Sequence, residues 1–262
     1  MTRADERGGA VAGCVVGRRD SHGAQSSVVG VALLLGATVV AVGVLTASVG
    51  ALVDGHAARA DARRVAADLD DALRPVETTG HRTGTVRFAD GGLHTVEREV
   101  RVFEGYGLGR RRVATVRVGG LVYDRGERRV RSVAGAVTRG RGEAAWTTAP
   151  PPIFGSEANG VLVVGVAKLN ASGGAIGGSD VTARISTNVT HDRRTLGTGR
   201  YAVAVETAVP AAFEAALRDR GASSVERRDF DGDGVPSVLA AFPGTRRAYV
   251  VVHDMRLEVS DG

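Results

Sequence analysis

Three carboxylates alternate in the segment Asp229-Phe-Asp231-Gly-Asp233-Gly-Val-Pro-Ser237. Acids this close repel one another unless a cation sits among them. Gly232 and Gly234 permit the sharp turn that would bring the three together. The order matches the first half of a calcium loop, with carboxylates at the first, third and fifth places and glycine at the sixth. The expected ligands are Asp229, Asp231, Asp233, the Val235 carbonyl and the Ser237 hydroxyl. Ala240 stands where a bidentate glutamate would close such a site. The expected cofactor is therefore a weakly held structural Ca2+, at the extracellular end of the affinity range. The alternative is an Asp/Gly-rich hairpin turn with no metal.

Other constellations carry less chemistry. The six histidines show no metal spacing. His191-Asp192 and His253-Asp254 are chain neighbours, and neighbours in a strand face opposite sides. No Gly-x-Ser-x-Gly elbow and no phosphate loop ending in Gly-Lys-Ser/Thr occurs. With no nucleophile–base pair and no catalytic metal cluster, the sequence predicts a protein that is not an enzyme. The single cysteine, Cys14, excludes a disulfide framework and a cysteine zinc site.

The net charge is +5, and 33 of the 34 basic residues are arginine, Lys168 being the exception. Arginines gather at Arg110–Arg112, Arg125–Arg131 and Arg139–Arg141. Such a tract could meet phosphate, but only Tyr106 and Tyr123 stand near it for base stacking, and nucleic acid is not the expected partner. Asn170-Ala-Ser172 and Asn188-Val-Thr190 are N-glycosylation sequons, which matter only outside the cytoplasm.

The elements that must carry these residues begin with a helix. Gln25–Val53 is a run of 29 residues without a charge, whereas about 20 apolar residues span a bilayer. The run predicts a membrane-spanning helix over 25–53. Gly36, Gly43 and Gly50, with Ala47, fall on one stripe of it, and small residues let helices approach closely in lipid. Arg18 and Arg19 before the run, and Asp54 after it, favour an inside N-terminus and an external C-terminal domain. Beyond Asp54 the spacing of Ala58, Ala62, Val65, Leu69 and Leu73 predicts an amphipathic extension over 54–75, with Arg64 and Asp68 on its other side and Pro75 as its stop.

From Gly80 the periodicity changes to two. Thr85–Phe88, a Gly91-Gly92 turn and Leu93–Phe103 read as a hairpin. Further strands are expected at Arg112–Val118, Gly120–Tyr123, Arg129–Thr138, Val161–Leu169, Val181–Val189, Tyr201–Thr207, Ser224–Arg228, Ser237–Phe242 and Arg247–Val259. One short helix, Ala211–Arg220, follows Pro210 and stops at Gly221. The fold class is thus α+β, a long N-terminal helix followed by a mostly antiparallel β-rich domain over 80–259, with Pro150-Pro151-Pro152 as a stiff hinge.

The order of the N-terminal segments carries a family resemblance. Charged Arg18-Arg19-Asp20 comes first, then small residues, then Gln25-Ser-Ser-Val-Val-Gly-Val-Ala-Leu-Leu-Leu-Gly. This resembles the archaellin/type IV pilin N-terminal domain of halophilic archaea, and the rest of the chain resembles an uncharacterised pilin-like family of the same organisms. The resemblance implies a leader over 1–24, cut by a prepilin peptidase between Ala24 and Gln25. Gly23 replaces the basic residue usual before the cut. It also implies a structural role as a minor pilin or pseudopilin in a surface filament or a secretion or adhesion apparatus. Its partners would be other pilin-like subunits, the assembly machinery and membrane lipid. The competing expectation is an uncleaved single-pass membrane protein whose extracellular β-domain binds a ligand or calcium.

Overall fold

A computed structural model defines residues 23–73, 78–105, 107–171 and 174–262. Arg18, Arg19, Cys14 and most of the expected leader lie outside the described residues, as do Pro75, Tyr106 and Ser172. The chain divides into two compact units, Met1–Asp54 and Gly55–Gly262.

Helix α1 (Gly23–Leu73) contributes to both units. Its apolar stretch is long and uncharged enough to cross a membrane, and none of it is buried by the rest of the protein. The hydroxyls in this stretch are satisfied within the helix. Thr46 and Ser48 each donate at 2.8 Å to the carbonyl four residues earlier, Val42 and Val44, and Thr38 donates likewise to Leu34. A polar group that closes its own hydrogen bond is tolerated in hydrocarbon.

In the second unit the helix becomes amphipathic. Ala62, Val65, Ala66, Leu69 and Leu73 are buried, while Ala58 is half-buried. Asp68 is not paired with Arg64. Its Oδ2 instead accepts from the Arg87 amide at 3.1 Å.

The strands, in chain order, are β1 (Gly80–Val96), β2 (Glu99–Glu104), β3 (Arg111–Arg117), β4 (Gly120–Arg125), β5 (Arg128–Val133), β6 (Ala136–Arg139), β7 (Trp146–Ala149), β8 (Ile153–Ser156), β9 (Val161–Lys168) and β10 (Ile176–Gly199). There follow β11 (Tyr201–Glu206), helix α2 (Pro210–Asp219), β12 (Ser224–Arg228), β13 (Ser237–Ala241), β14 (Arg246–Asp254) and β15 (Glu258–Asp261). They form a ten-stranded sheet, ordered β7-β6-β5-β4-β1-β10-β14-β9-β8 with β15 also on β10, and a five-stranded sheet, β12-β13-β11-β2-β3. All pairings are antiparallel except β9 with β14.

Three expected strands are divided by the structure. Gly91-Gly92 is not a hairpin turn. β1 runs straight through it, and Gly91 (φ +121°) marks where the strand passes from pairing with β10 to pairing with β4. A Cβ at Gly91 would lie 2.4 Å from the Asp124 carbonyl, so close approach of the β4 backbone explains the glycine. The expected Leu93–Phe103 strand breaks after Val96 because β2 belongs to the other sheet. Arg129–Thr138 is the hairpin β5–β6, turned by Ala134 (φ +52°) and Gly135 (φ +85°), the conformation that two-residue hairpin loops favour. Arg247–Val259 likewise splits into β14 and β15.

Two cores lie on opposite faces of the ten-stranded sheet. Val65, Leu69 and Leu73 of α1 pack with Val86, Phe88, Leu121, Tyr123, Ile185 and Leu257. Val102, Val203 and Val238 of the smaller sheet pack with Ile153, Leu162, Val164 and Val250, closed by Phe213 and Leu217 of α2. Neighbours Ala136 and Val137 belong to different cores, as strand alternation requires. Pro150–Pro152 falls inside the second unit, where the Gly165 amide donates to the Pro152 carbonyl at 2.9 Å.

The edge of β1 opposite β10 is closed by the helix. Both oxygens of buried Asp61 accept from the Ala89 amide at 3.1 Å, and Asp68 accepts from Arg87. Gly84 lies against Ala72, to which an added Cβ would come within 2.8 Å. The contacts 61–89, 68–87 and 72–84 show that α1 runs antiparallel to β1. The carboxylates occupy amides that an unpaired edge would offer to another chain.

Candidate functional site

The aspartates lie in the eight-residue loop that joins β12 to β13, with Arg228 opposite Ser237 closing the hairpin. Oxygens of Asp229, Asp231 and Asp233 all lie within 4.8 Å of one another. Asp229 organises the turn. Its Oδ1 accepts from the Gly232 amide at 2.7 Å and the Asp231 amide at 3.3 Å, and its Oδ2 accepts from Gly234 at 3.1 Å. These amides hold the Asp229 carboxyl below its ordinary value, with Gly232 the largest cause. Asp233 Oδ1 accepts from the Val235 amide at 2.8 Å. Gly232 (φ +78°) and Gly234 (φ +83°) take the left-handed conformations that the turn demands.

The loop rests on a buried ionic group. Arg101 of β2 is 3% exposed. Its Nη2 meets Asp231 Oδ2 at 2.5 Å and Glu99 Oε2 at 3.0 Å, and its Nη1 donates to Ser237 Oγ at 3.2 Å. Ser237 is therefore a buried residue at the start of β13, held by an arginine. Glu206 lies 3.6 Å from Arg101 and 3.7 Å from Arg98. Burial pushes its carboxyl up; Arg98 and Arg101 oppose that rise, and Asp231 and Asp233 add to it. Phe230 stacks on Phe103 with centroids 5.3 Å apart, and the Arg101 guanidinium lies 5.4 Å from the Phe230 ring. A cavity of about 570 Å³ adjoins this group, and Glu206, Asp231, Asp233, Arg98, Lys168 and Asn170 are among its lining residues.

This arrangement gives the loop hard oxygen ligands and a protein cation that already neutralises one of them. Neither Arg101 nor Glu206 was legible as part of the site, because they stand over a hundred positions away from Asp231 or in another strand. The sequence signal that bears on Arg101 is an arginine amid the apolar alternation of Val100, Val102 and Phe103.

Cross-strand register also joins what chain adjacency separates. His191 stands opposite His253, with their Nδ1 atoms 2.8 Å apart. One imidazole must donate and the other accept. Asn188 is exposed on β10. Asn170 is exposed in the left-handed conformation (φ +44°), with its Nδ2 3.4 Å from Asp254 Oδ1. The arginine tract divides: Arg111 and Arg112 lie on β3 of the smaller sheet, while Arg128, Arg129 and Arg139 lie on β5 and β6. Arg131 of β5 is buried, donates to the Gly140 carbonyl at 2.9 Å, and is pushed down to about 10 by burial and then by Arg129. Burial, then Arg63 and Arg128, also lowers Arg139.

Residues 23–258 match DUF7289, a family of unknown function. The chain belongs to that family. The DUF7289 match begins with the first residue of α1 and ends in β15, so it takes in the membrane-spanning candidate together with the β-rich unit. No curated protein and no solved structure matches the chain significantly. Within the DUF7289 region, Ala24 and Gln25 fall in the first turn of α1. Gly36, Gly43, Ala47 and Gly50 are exposed, and beyond the local helix backbone the three glycines have no atom within 4 Å of the position a Cβ would take.

Proposed function

We propose that the chain is a structural, non-catalytic subunit of type IV pilin-like character, a minor pilin or pseudopilin anchored by α1. The observation that carries this reading is the composition of α1. An uncharged, unburied apolar segment with a glycine stripe continues into a face that forms the core of a β-rich unit. Such a helix can wait in a bilayer or pack beside copies of itself, because small residues admit close helix contact in both settings. The β-rich unit then stands outside the cell, where Asn170 and Asn188 are available to glycosylation. The Asp229–Asp233 loop binds Ca2+ there as a structural ion.

N-terminal sequencing and intact mass of the protein from native membranes test the reading. A chain that begins at Gln25 is expected. A chain that retains Met1 overturns the pilin-like assignment and leaves the second reading, an uncleaved single-pass membrane protein. The calcium loop favours that second reading equally, because it needs only an external domain.

A further inference from the structure

A second charged site lies away from the aspartate loop. Arg59 and Arg63 of α1, Arg128 and Arg129 of β5 and Arg139 of β6 converge on a cavity of about 370 Å³, with Trp146 at its wall. Among the described residues no carboxylate lies within ion-pair distance of any of these five arginines. The one acid at the cavity, Glu127, is paired with Arg141. The Nε atoms of Arg129 and Arg139 are buried and have no hydrogen-bond partner. Arg139 lies 5.1 Å from the Trp146 ring centroid, and Trp146 is 49% exposed.

Five guanidinium groups gathered with no carboxylate paired to any of them favour an external counter-charge. The guanidinium fork suits a tetrahedral oxyanion, which it binds through paired N–H donors. We propose that this cavity binds a phosphate group, held by Arg63, Arg128, Arg129 and Arg139 beside Trp146. An anionic lipid headgroup is the favoured source. Arg59 and Arg63 follow the end of the uncharged run at Val53 by only six and ten residues, and an exposed tryptophan suits the water–lipid boundary. The lipid source rests on the membrane-anchored reading; the phosphate chemistry does not.

Trp146 is the only tryptophan in the chain, so its fluorescence reports on the cavity directly. The full chain in neutral detergent micelles is titrated with phosphatidylglycerol, with phosphatidylcholine and with inorganic phosphate. A saturable change with phosphatidylglycerol but not phosphatidylcholine is expected, weakened by salt. Arg63→Gln with Arg128→Gln should raise the half-saturation point about tenfold or more, the loss expected for charge-assisted hydrogen bonds. The Lys pair at the same positions, which keeps the charge and loses the fork, should fall between. Saturation by inorganic phosphate alone supports the site and assigns it a soluble ligand. No saturable response to phosphatidylglycerol or to inorganic phosphate, or an unchanged response in both variant pairs, overturns the proposal. Tighter binding of a short single-stranded oligonucleotide than of either probe also overturns it, in favour of a nucleic-acid surface. Loss of the pilin-like reading through a retained Met1 would leave this result standing.

Discussion

Replacing Asp61 by alanine should be the most damaging single change on the helix that does not touch an apolar side chain. Asp61 is 3% exposed. It accepts from the Ala89 amide through both oxygens at 3.1 Å and from the Tyr123 hydroxyl at 2.9 Å, with Arg125 at 3.5 Å. Burial, and then the Asp61 carboxylate, raise the Tyr123 hydroxyl above its usual range. The variant leaves the Ala89 amide unpaired at a strand edge. Tyr123 keeps the Asp90 carbonyl at 2.8 Å, and Arg125 keeps Asp90 Oδ2 at 3.4 Å. Hydrogen bonds to a charged group contribute about 1.5–3 kcal/mol each, and breaking a buried charged pair costs about 3–5 kcal/mol. With two partners partly rescued, the expected loss is about 3 kcal/mol. For a unit near two hundred residues this lowers Tm by about 6–12 °C. Asp68→Ala removes one exposed bond, to the Arg87 amide, and should cost about 1 kcal/mol or less. Both variants are melted as full chains in detergent and followed by the strand signal in circular dichroism. Equal losses for the two variants would refute the claim that Asp61 is the buried fastening of helix to sheet.

Gly84→Val should destabilise by about 1–3 kcal/mol, because even a Cβ at this site would lie 2.8 Å from Ala72 Cβ and 3.2 Å from its Cα; a neutral Tm would show that α1 shifts freely. Glu206 has a raised folded value, so its favourable contribution is complete below the ordinary glutamate value and is lost as pH rises through the raised one. Relative to wild type, Glu206→Gln should gain stability as pH rises from about 4; a difference constant with pH would contradict this. Millimolar Ca2+ should raise Tm in wild type and not in Asp233→Asn, a carboxylate whose one hydrogen-bond partner among the described residues is the Val235 amide. An equal rise in both, or none in wild type, removes the ion from the loop.

The features read correctly from the sequence are those decided within a few residues. The buried face Ala62, Val65, Leu69 and Leu73 follows from helical spacing alone, and α2 starts at Pro210 and ends before Gly221 as its local chemistry dictates. The three aspartates come together because the turn they share is short. What failed did so where partners decide. Gly91-Gly92 has the composition of a turn, yet the strand continues because β4 and β10 both bind it there. Asp68 has the spacing to face outward with Arg64, but an unpaired strand edge supplies a nearer amide. The arginines of β5 and β6 form a cavity only because α1 brings Arg59 and Arg63 to them, a meeting that no local spacing encodes.

The antiparallel course of α1 along β1 has a mechanical consequence. A pull on the helix within this unit acts along the strand direction. It loads Asp61, Asp68 and the Val65 and Leu69 contacts together, and beyond them the thirteen-residue register of β1 with β10. Bonds loaded side by side must fail at once, whereas bonds loaded end-on break singly, each in its turn. The helix is thus joined to its sheet in shear, the geometry in which a given number of weak interactions resists the largest force.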